Sequence, residues 1–147
     1  MFKNRKGFTL IELLVVIGIL AVLLAITLIA VNPAQNLQDA DDTKRRSDIN
    51  AILNAVNQYM VDNNGIAPTE ITATPTDLGN PGINICTLIV PTYIAALPQD
   101  PASGNGADIP AATCAGTYSS GYNISAAGNR ITVDAPGANT GTITVTR

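Results

Sequence analysis

The sequence predicts an α+β protein. A long N-terminal helix, its first half transmembrane and its second half amphipathic, packs on a small antiparallel sheet of about three strands. Three observations predict this. From Leu13 to Val31, 19 successive positions, no residue is charged. From Ile49 to Met60 apolar residues recur at helical spacing. After Tyr122 the period shortens to two, and turn residues separate the alternating stretches.

The uncharged run reaches about 28 Å at ~1.5 Å per residue, close to the ~30 Å apolar thickness of a bilayer. Lys3, Arg5 and Lys6 precede it, followed by Gly7, and Glu12 is a carboxylate at its mouth. Basic residues beside a span favour the cytoplasmic side, so the N-terminus is expected inside and the remainder outside. The opening also resembles a secretory signal, but no Ala-x-Ala site follows the run. The chain therefore divides into a basic segment 1–7, a spanning helix 8–31 and an exposed domain 32–147.

Asn32-Pro33 closes the span. Asn suits an N-cap and Pro the first helical turn, so a second helical stretch, or a kinked continuation, starts there. Leu37, Ala40, Ile49, Ile52, Leu53, Val56, Tyr59 and Met60 carry its apolar positions, and Asn63-Asn64-Gly65 stops it. An unbroken helix from Phe8 to Asn63 would be about 84 Å long at ~1.5 Å per residue. A domain of this size cannot cover such a rod, so its first half needs lipid or other subunits. Asp41–Arg45 and Asp42–Arg46 stand four apart with the acid first, which favours helix. Lys44-Arg45-Arg46 reads as a solvated helix face; a contact with acidic patches of a neighbouring subunit is the sharper alternative.

Residues 66–91 are rich in Thr, Pro, Asn and Gly and read as an irregular surface excursion, with Cys86–Val90 as a short helix or strand within it. Pro91–Pro101 reads as a short apolar turn ended by two prolines, and 102–116 as another loop. Tyr122 and Ile124 alternate with polar neighbours, as do Ile131 and Val133, and Ala126-Ala127-Gly128-Asn129 between them predicts a hairpin. Ile143 and Val145 give a third strand. Such a sheet needs a cover on its apolar face, and the Ile49–Met60 stripe is the available partner.

The chain has 147 residues with a formal net charge of −3, unevenly placed. From Asn32 onward ten acids face five bases, a balance that argues against a nucleic-acid-binding surface. There is no histidine, which removes the commonest general base and zinc ligand. No Ser/Lys or paired-carboxylate spacing supports catalysis, so no enzyme activity is expected. Cys86 and Cys114 do not read as a zinc site. In an exported domain they pair as one disulfide; two free buried thiols are the alternative.

Gly7-Phe8-Thr9-Leu10-Ile11-Glu12-Leu13-Leu14, behind its basic leader, resembles the prepilin signature of type IV pilins and type II secretion pseudopilins. The helix-then-sheet order is similar to that family, and Leu97-Pro98-Gln99-Asp100-Pro101 resembles the Leu-Pro-x-Asp-Pro segment of its pseudopilin-like members. The resemblance implies a pilin-like fold and a structural role. Residues 1–7 would be a leader removed by prepilin peptidase after Gly7, and the new amine of Phe8 would be methylated. Glu12 would pair with that amine on a neighbouring subunit during assembly. The subunit would sit in the cytoplasmic membrane and then pass into a cell-surface filament.

Its implied partners are copies of itself, other pilins, the peptidase and an inner-membrane assembly platform. The first expectation is a type IV pilus or related surface filament. The alternatives are a pseudopilin of a type II secretion system and a membrane-tethered binding domain that does not polymerise. Many family members carry a proline inside the apolar run; here Pro33 follows it, and only Gly18 and Thr27 weaken it. Some pseudopilins also hold calcium after the Leu-Pro-x-Asp-Pro segment. Asp100 and Asp108 are the carboxylates that would serve, so the expectation is no cofactor, with calcium at these two residues as the exception.

Overall fold

The computed structural model of the chain describes residues 7–104 and 106–147. The basic residues of the expected leader lie outside the described residues. The described residues form two compact units that divide between Leu37 and Gln38.

In the first unit, Thr9 caps helix α1, Leu10–Val31. The helix is apolar on every side and has no buried residue. It is long and apolar enough to cross a membrane. A helix satisfies its own backbone, which is why this form suits a span. α1 runs through Gly18 and Thr27 without a break, and the Thr27 hydroxyl donates back to the Leu24 carbonyl at 3.0 Å. Asn32, in the left-handed region at φ 39°, ends α1. Its carbonyl accepts the N–H of Gln35 at 3.1 Å at the start of α2, Pro33–Asp62. The predicted boundary at Asn32-Pro33 is therefore a single non-helical residue between two helices.

In the second unit, the part of α2 from Gln38 onward covers one face of a four-stranded antiparallel sheet. The sheet is built from β1 (Thr76–Asn80), β4 (Tyr118–Ala127), β5 (Arg130–Ala135) and β6 (Ile143–Thr146), in the order β1-β4-β5-β6. Between β1 and β4 lie α3 (Cys86–Ile89), β2 (Ala96–Leu97), β3 (Ile109–Pro110) and a 3-10 turn at 111–113; β2 and β3 pair separately. The hairpin falls where the alternation predicts it. Ala127 faces Arg130, so the loop is Gly128-Asn129, with Gly128 at φ 63°.

Four strands stand where about three were expected. Thr76-Asp77-Leu78-Gly79-Asn80 has low strand propensity, and its pairing with β4 slips between Asp77 and Gly79. At Gly79 a side chain would collide with the Tyr118 carbonyl, so β1 is recruited by close backbone approach and not by its own pattern. The segment at Cys86 resolves as a helix.

The core lies between α2 and the sheet. Ile49, Ile52, Leu53 and Val56 meet Tyr122, Ile124, Ile131 and Val133, all fully buried. Each such aliphatic side chain contributes roughly 1.5–3 kcal/mol. Ile85, Ile89 and Leu97 extend the core under the excursion. Cys86 and Cys114 form a buried disulfide across a sequence separation of 28, worth roughly 3–4 kcal/mol by chain entropy.

Candidate functional site

The first candidate is the start of α1. Thr9, extended at φ −82° and ψ 153°, makes a capping box with Glu12. Glu12 Oε2 accepts the Thr9 N–H and the Thr9 hydroxyl, both at 2.8 Å, and the Thr9 hydroxyl accepts the Glu12 N–H at 3.3 Å. The carboxylate also stands at the positive end of the helix, which favours its charge. Among the described residues, then, the charge at the mouth of the apolar run is met by one residue's amide and hydroxyl. Phe8 is 88% exposed beside it, and Leu10, Ile11, Leu13 and Leu14 are exposed around it. This end of the helix offers a ring of uncovered apolar side chains with a single anionic group among them. It can pair with a cation that arrives together with apolar surface. Gly7, exposed, precedes Phe8 outside the helix.

The second candidate is a charge cluster inside the globular unit. Arg45, 1% exposed, projects from α2 between Asp42 and Asp100, each 2% exposed. Its Nε and Nη2 donate to Asp100 Oδ2 and Oδ1 at 2.7 and 3.0 Å, and its Nη1 to Asp42 Oδ1 at 2.8 Å. Asp42 also receives the Asn139 N–H at 3.0 Å, the Thr140 N–H at 3.1 Å and the Thr140 hydroxyl at 2.7 Å.

These contacts set the protonation of the cluster. The Asn139 N–H does most to hold Asp42 well below the ordinary carboxylate range, against the cost of its burial. The bond to Asp100 raises Arg45. Burial works against the charge on Asp100, yet Arg45 and the Ala102 N–H keep its pKa lowered. Nearby, Lys44 bonds Asp48 at 2.7 Å and the Gln99 carbonyl at 3.0 Å, and Asp48 accepts the Tyr122 hydroxyl at 2.7 Å. Burial, then the Asp48 bond, raise Tyr122. Burial also brings the Tyr118 phenol to about 12.

Sequence reasoning placed Lys44-Arg45-Arg46 on a solvated face with partners four residues away. The structure divides them. Arg45 turns inward, and its partners are Asp42 at three residues and Asp100 from the Leu-Pro-Gln-Asp-Pro segment. The available signal was Asp42 one turn before Arg45 together with the singular Asp100; Asn139 and Thr140 carried none. Asp100 and Asp108, singled out for a metal, face different cations: Asp100 faces Arg45, and Asp108 lies 4.0 Å from Lys44 with its side chain 54% exposed. Among the described residues no three His, Cys, Asp or Glu side chains gather as a metal site.

A family described as the prokaryotic N-terminal methylation motif matches residues 2–28. The type II secretion system core protein G of Aeromonas hydrophila is 38% identical over 104 residues, which cover 67% of this chain and 68% of that protein. The core protein G of Pectobacterium carotovorum is 37% identical over 103 residues, covering 67% of this chain and 62% of that protein. That of Klebsiella michiganensis is 34% identical over 105 residues, covering 70% of this chain and 72% of that protein. No solved structure matches the chain at a significant level.

Proposed function

The chain belongs to the family of the type II secretion system core protein G, a family of pseudopilins, and from that premise we propose that it is a structural subunit that polymerises through residues 8–31 once its leader is removed. Of the filament readings made from sequence, the secretion pseudopilin is a closer match than the type IV pilus, because the curated relatives are secretion proteins. The observation that carries the reading is α1: 22 residues, apolar all round, with no residue covered by its own chain and one carboxylate at its start. Such a helix needs lipid or other copies of itself.

On this reading the precursor crosses the cytoplasmic membrane once, N-terminus inside and residues 32–147 outside. Prepilin peptidase cuts after Gly7, and the amine freed on Phe8 is methylated. Glu12 sits about one turn from Phe8, shallow in the membrane, where a carboxylate costs less than the ~2.5–3.5 kcal/mol of the bilayer centre. The cationic amine of a neighbouring subunit is a stronger partner for it than the neutral Thr9 donors, since it adds the attraction of a full opposite charge, which low-dielectric surroundings strengthen. That gain draws the helix from lipid into the filament, where neighbouring α1 helices cover its apolar surface. The partners are copies of the chain, related pilins, the peptidase and the membrane assembly platform. The subunit performs no chemistry of its own and binds no nucleic acid.

Mass spectrometry of sheared filaments is expected to find a mature chain beginning at methylated Phe8. Intact Met1, on protein confined to membranes, would defeat the reading. Glu12→Ala is expected to insert normally and to fail in assembly; normal filaments from that variant would remove Glu12 from the mechanism.

A further inference from the structure

We infer that Arg45 is the built-in cation of the globular unit: its guanidinium holds the Leu97–Pro101 turn and the turn around Gly137 onto α2, so that ordering them requires no divalent metal.

Three segments distant in sequence meet at this side chain. α2 supplies Asp42 and Arg45. The Leu-Pro-Gln-Asp-Pro turn supplies Asp100, whose two oxygens take Arg45 Nε and Nη2 in a paired, fork-on-carboxylate geometry. The third segment runs past Gly137, where an added Cβ would lie 3.6 Å from Asp100 Oδ2 and 4.0 Å from Arg45 Nη2, so this turn sits directly over the pair. It is then tied to α2 by the two backbone amides and one hydroxyl that bond Asp42. A buried cation between two carboxylates has the topology of a bound metal ion: one positive centre cross-links segments that are distant in sequence.

A metal does not fit the same place. Calcium takes six to eight oxygens, usually with several carboxylates. Asp100 Oδ1 already accepts both Arg45 Nη2 and the Ala102 N–H, the latter at 2.8 Å, and Oδ2 accepts Arg45 Nε. Asp42 carries five donors, counting the Asn139 amide group. Among the described residues no buried polar side-chain atom is left without a partner to await an ion. Asp108, the other acid of the loop, faces Lys44 and solvent. A calcium ion at Asp100 would have to expel a guanidinium that is 1% exposed. A chain that supplies its own cation keeps this lock closed whatever the calcium concentration outside the membrane.

The test uses the full-length chain in detergent micelles. Thermal unfolding is followed by tyrosine circular dichroism, and the loops are probed by limited proteolysis. The wild-type chain is expected to melt at one temperature and give one digestion pattern in EDTA and in millimolar calcium chloride. A midpoint that rises with calcium, or new cleavage within 98–108 in EDTA, would overturn the inference. Arg45→Lys keeps the charge but cannot grip both carboxylates. It is expected to melt lower and to open cleavage sites in 98–108 and 136–140, unrelieved by calcium. Arg45→Lys melting and digesting as wild type would equally overturn the inference. Should the variant fail to fold, the wild-type comparison decides alone. Neither readout involves filament assembly, so the outcome is separate from that of the proposed function.

Discussion

Ile19 in α1 is 56% exposed and Ile52 in α2 is fully buried, although both are isoleucines on helices of the same chain. The charges are reversed in the same way. Glu12 of α1 is exposed and relies on the neighbouring Thr9, whereas Arg45, Asp42 and Asp100 of the globular unit are sealed inside and bonded to one another. α1 has an apolar surface and no interior, so its free energy depends on what surrounds it: lipid, detergent or other subunits. The globular unit has an interior, and its stability depends on how its own side chains fit. One polypeptide therefore has two kinds of site, and a substitution should report its unit more than its chemistry.

Matched substitutions give the largest expected contrast. Ile52→Ala should cost the globular unit about 2–5 kcal/mol, from lost burial and the cavity left behind. Ile19→Ala should change the unfolding of that unit by less than ~0.5 kcal/mol, as exposed positions usually do, while weakening assembly. Chemical denaturation of the two variants in the same detergent measures both. Equal losses would break the contrast.

Acid gives an intermediate effect. The pKa values of Asp42 and Asp100 are lowered in the folded unit. A carboxylate depressed in this way contributes stability that is present above its unfolded value, about 3.9, and is lost as pH falls through that value toward the folded one. Asp134, raised by burial despite its bond to Asn123, works oppositely, its contribution fading as pH rises out of the acid range. The paired acids dominate by number and bonding. The globular unit should therefore unfold more readily below about pH 4, in the range of ordinary carboxylate titration. Asp42→Asn should start less stable and lose less on acidification. A wild-type unfolding midpoint that does not move between neutral and acid pH would show that the buried cluster contributes nothing through its charge.

The smallest effect is expected at Lys44. Its pair with Asp48 is half-exposed on the lysine side, and such pairs contribute about 0.2–1 kcal/mol. Lys44→Ala should accordingly cost far less than removal of Arg45 one residue on. A comparable loss would mean that the cluster is held as much by its rim as by its centre.

Much of this was legible in the residues. The apolar run, the helical stripe and the two-residue alternation each report a local period, and a period is visible without knowing what lies across from it. The prepilin signature was legible because Gly7, Phe8 and Glu12 stand close together in sequence. β1 was not, since Thr76–Asn80 becomes a strand only by laying Gly79 against Tyr118 of β4. Arg45 was misread for a related reason. Its spacing on α2 allows an exposed pair with Asp41, and only the arrival of Asp100, 55 residues later, makes the interior the better place.

The sequence by itself thus determined α1, the helix boundary at Asn32-Pro33, the β4–β5 hairpin and the carboxylate at the mouth of the apolar run. All of these are set by neighbours within a few positions. Tertiary structure alone decided which of three adjacent basic residues is buried, which loops it holds, and that the excursion yields a fourth strand. Burying a charge is favourable only where several distant groups converge to bond it, and that convergence belongs to the folded chain.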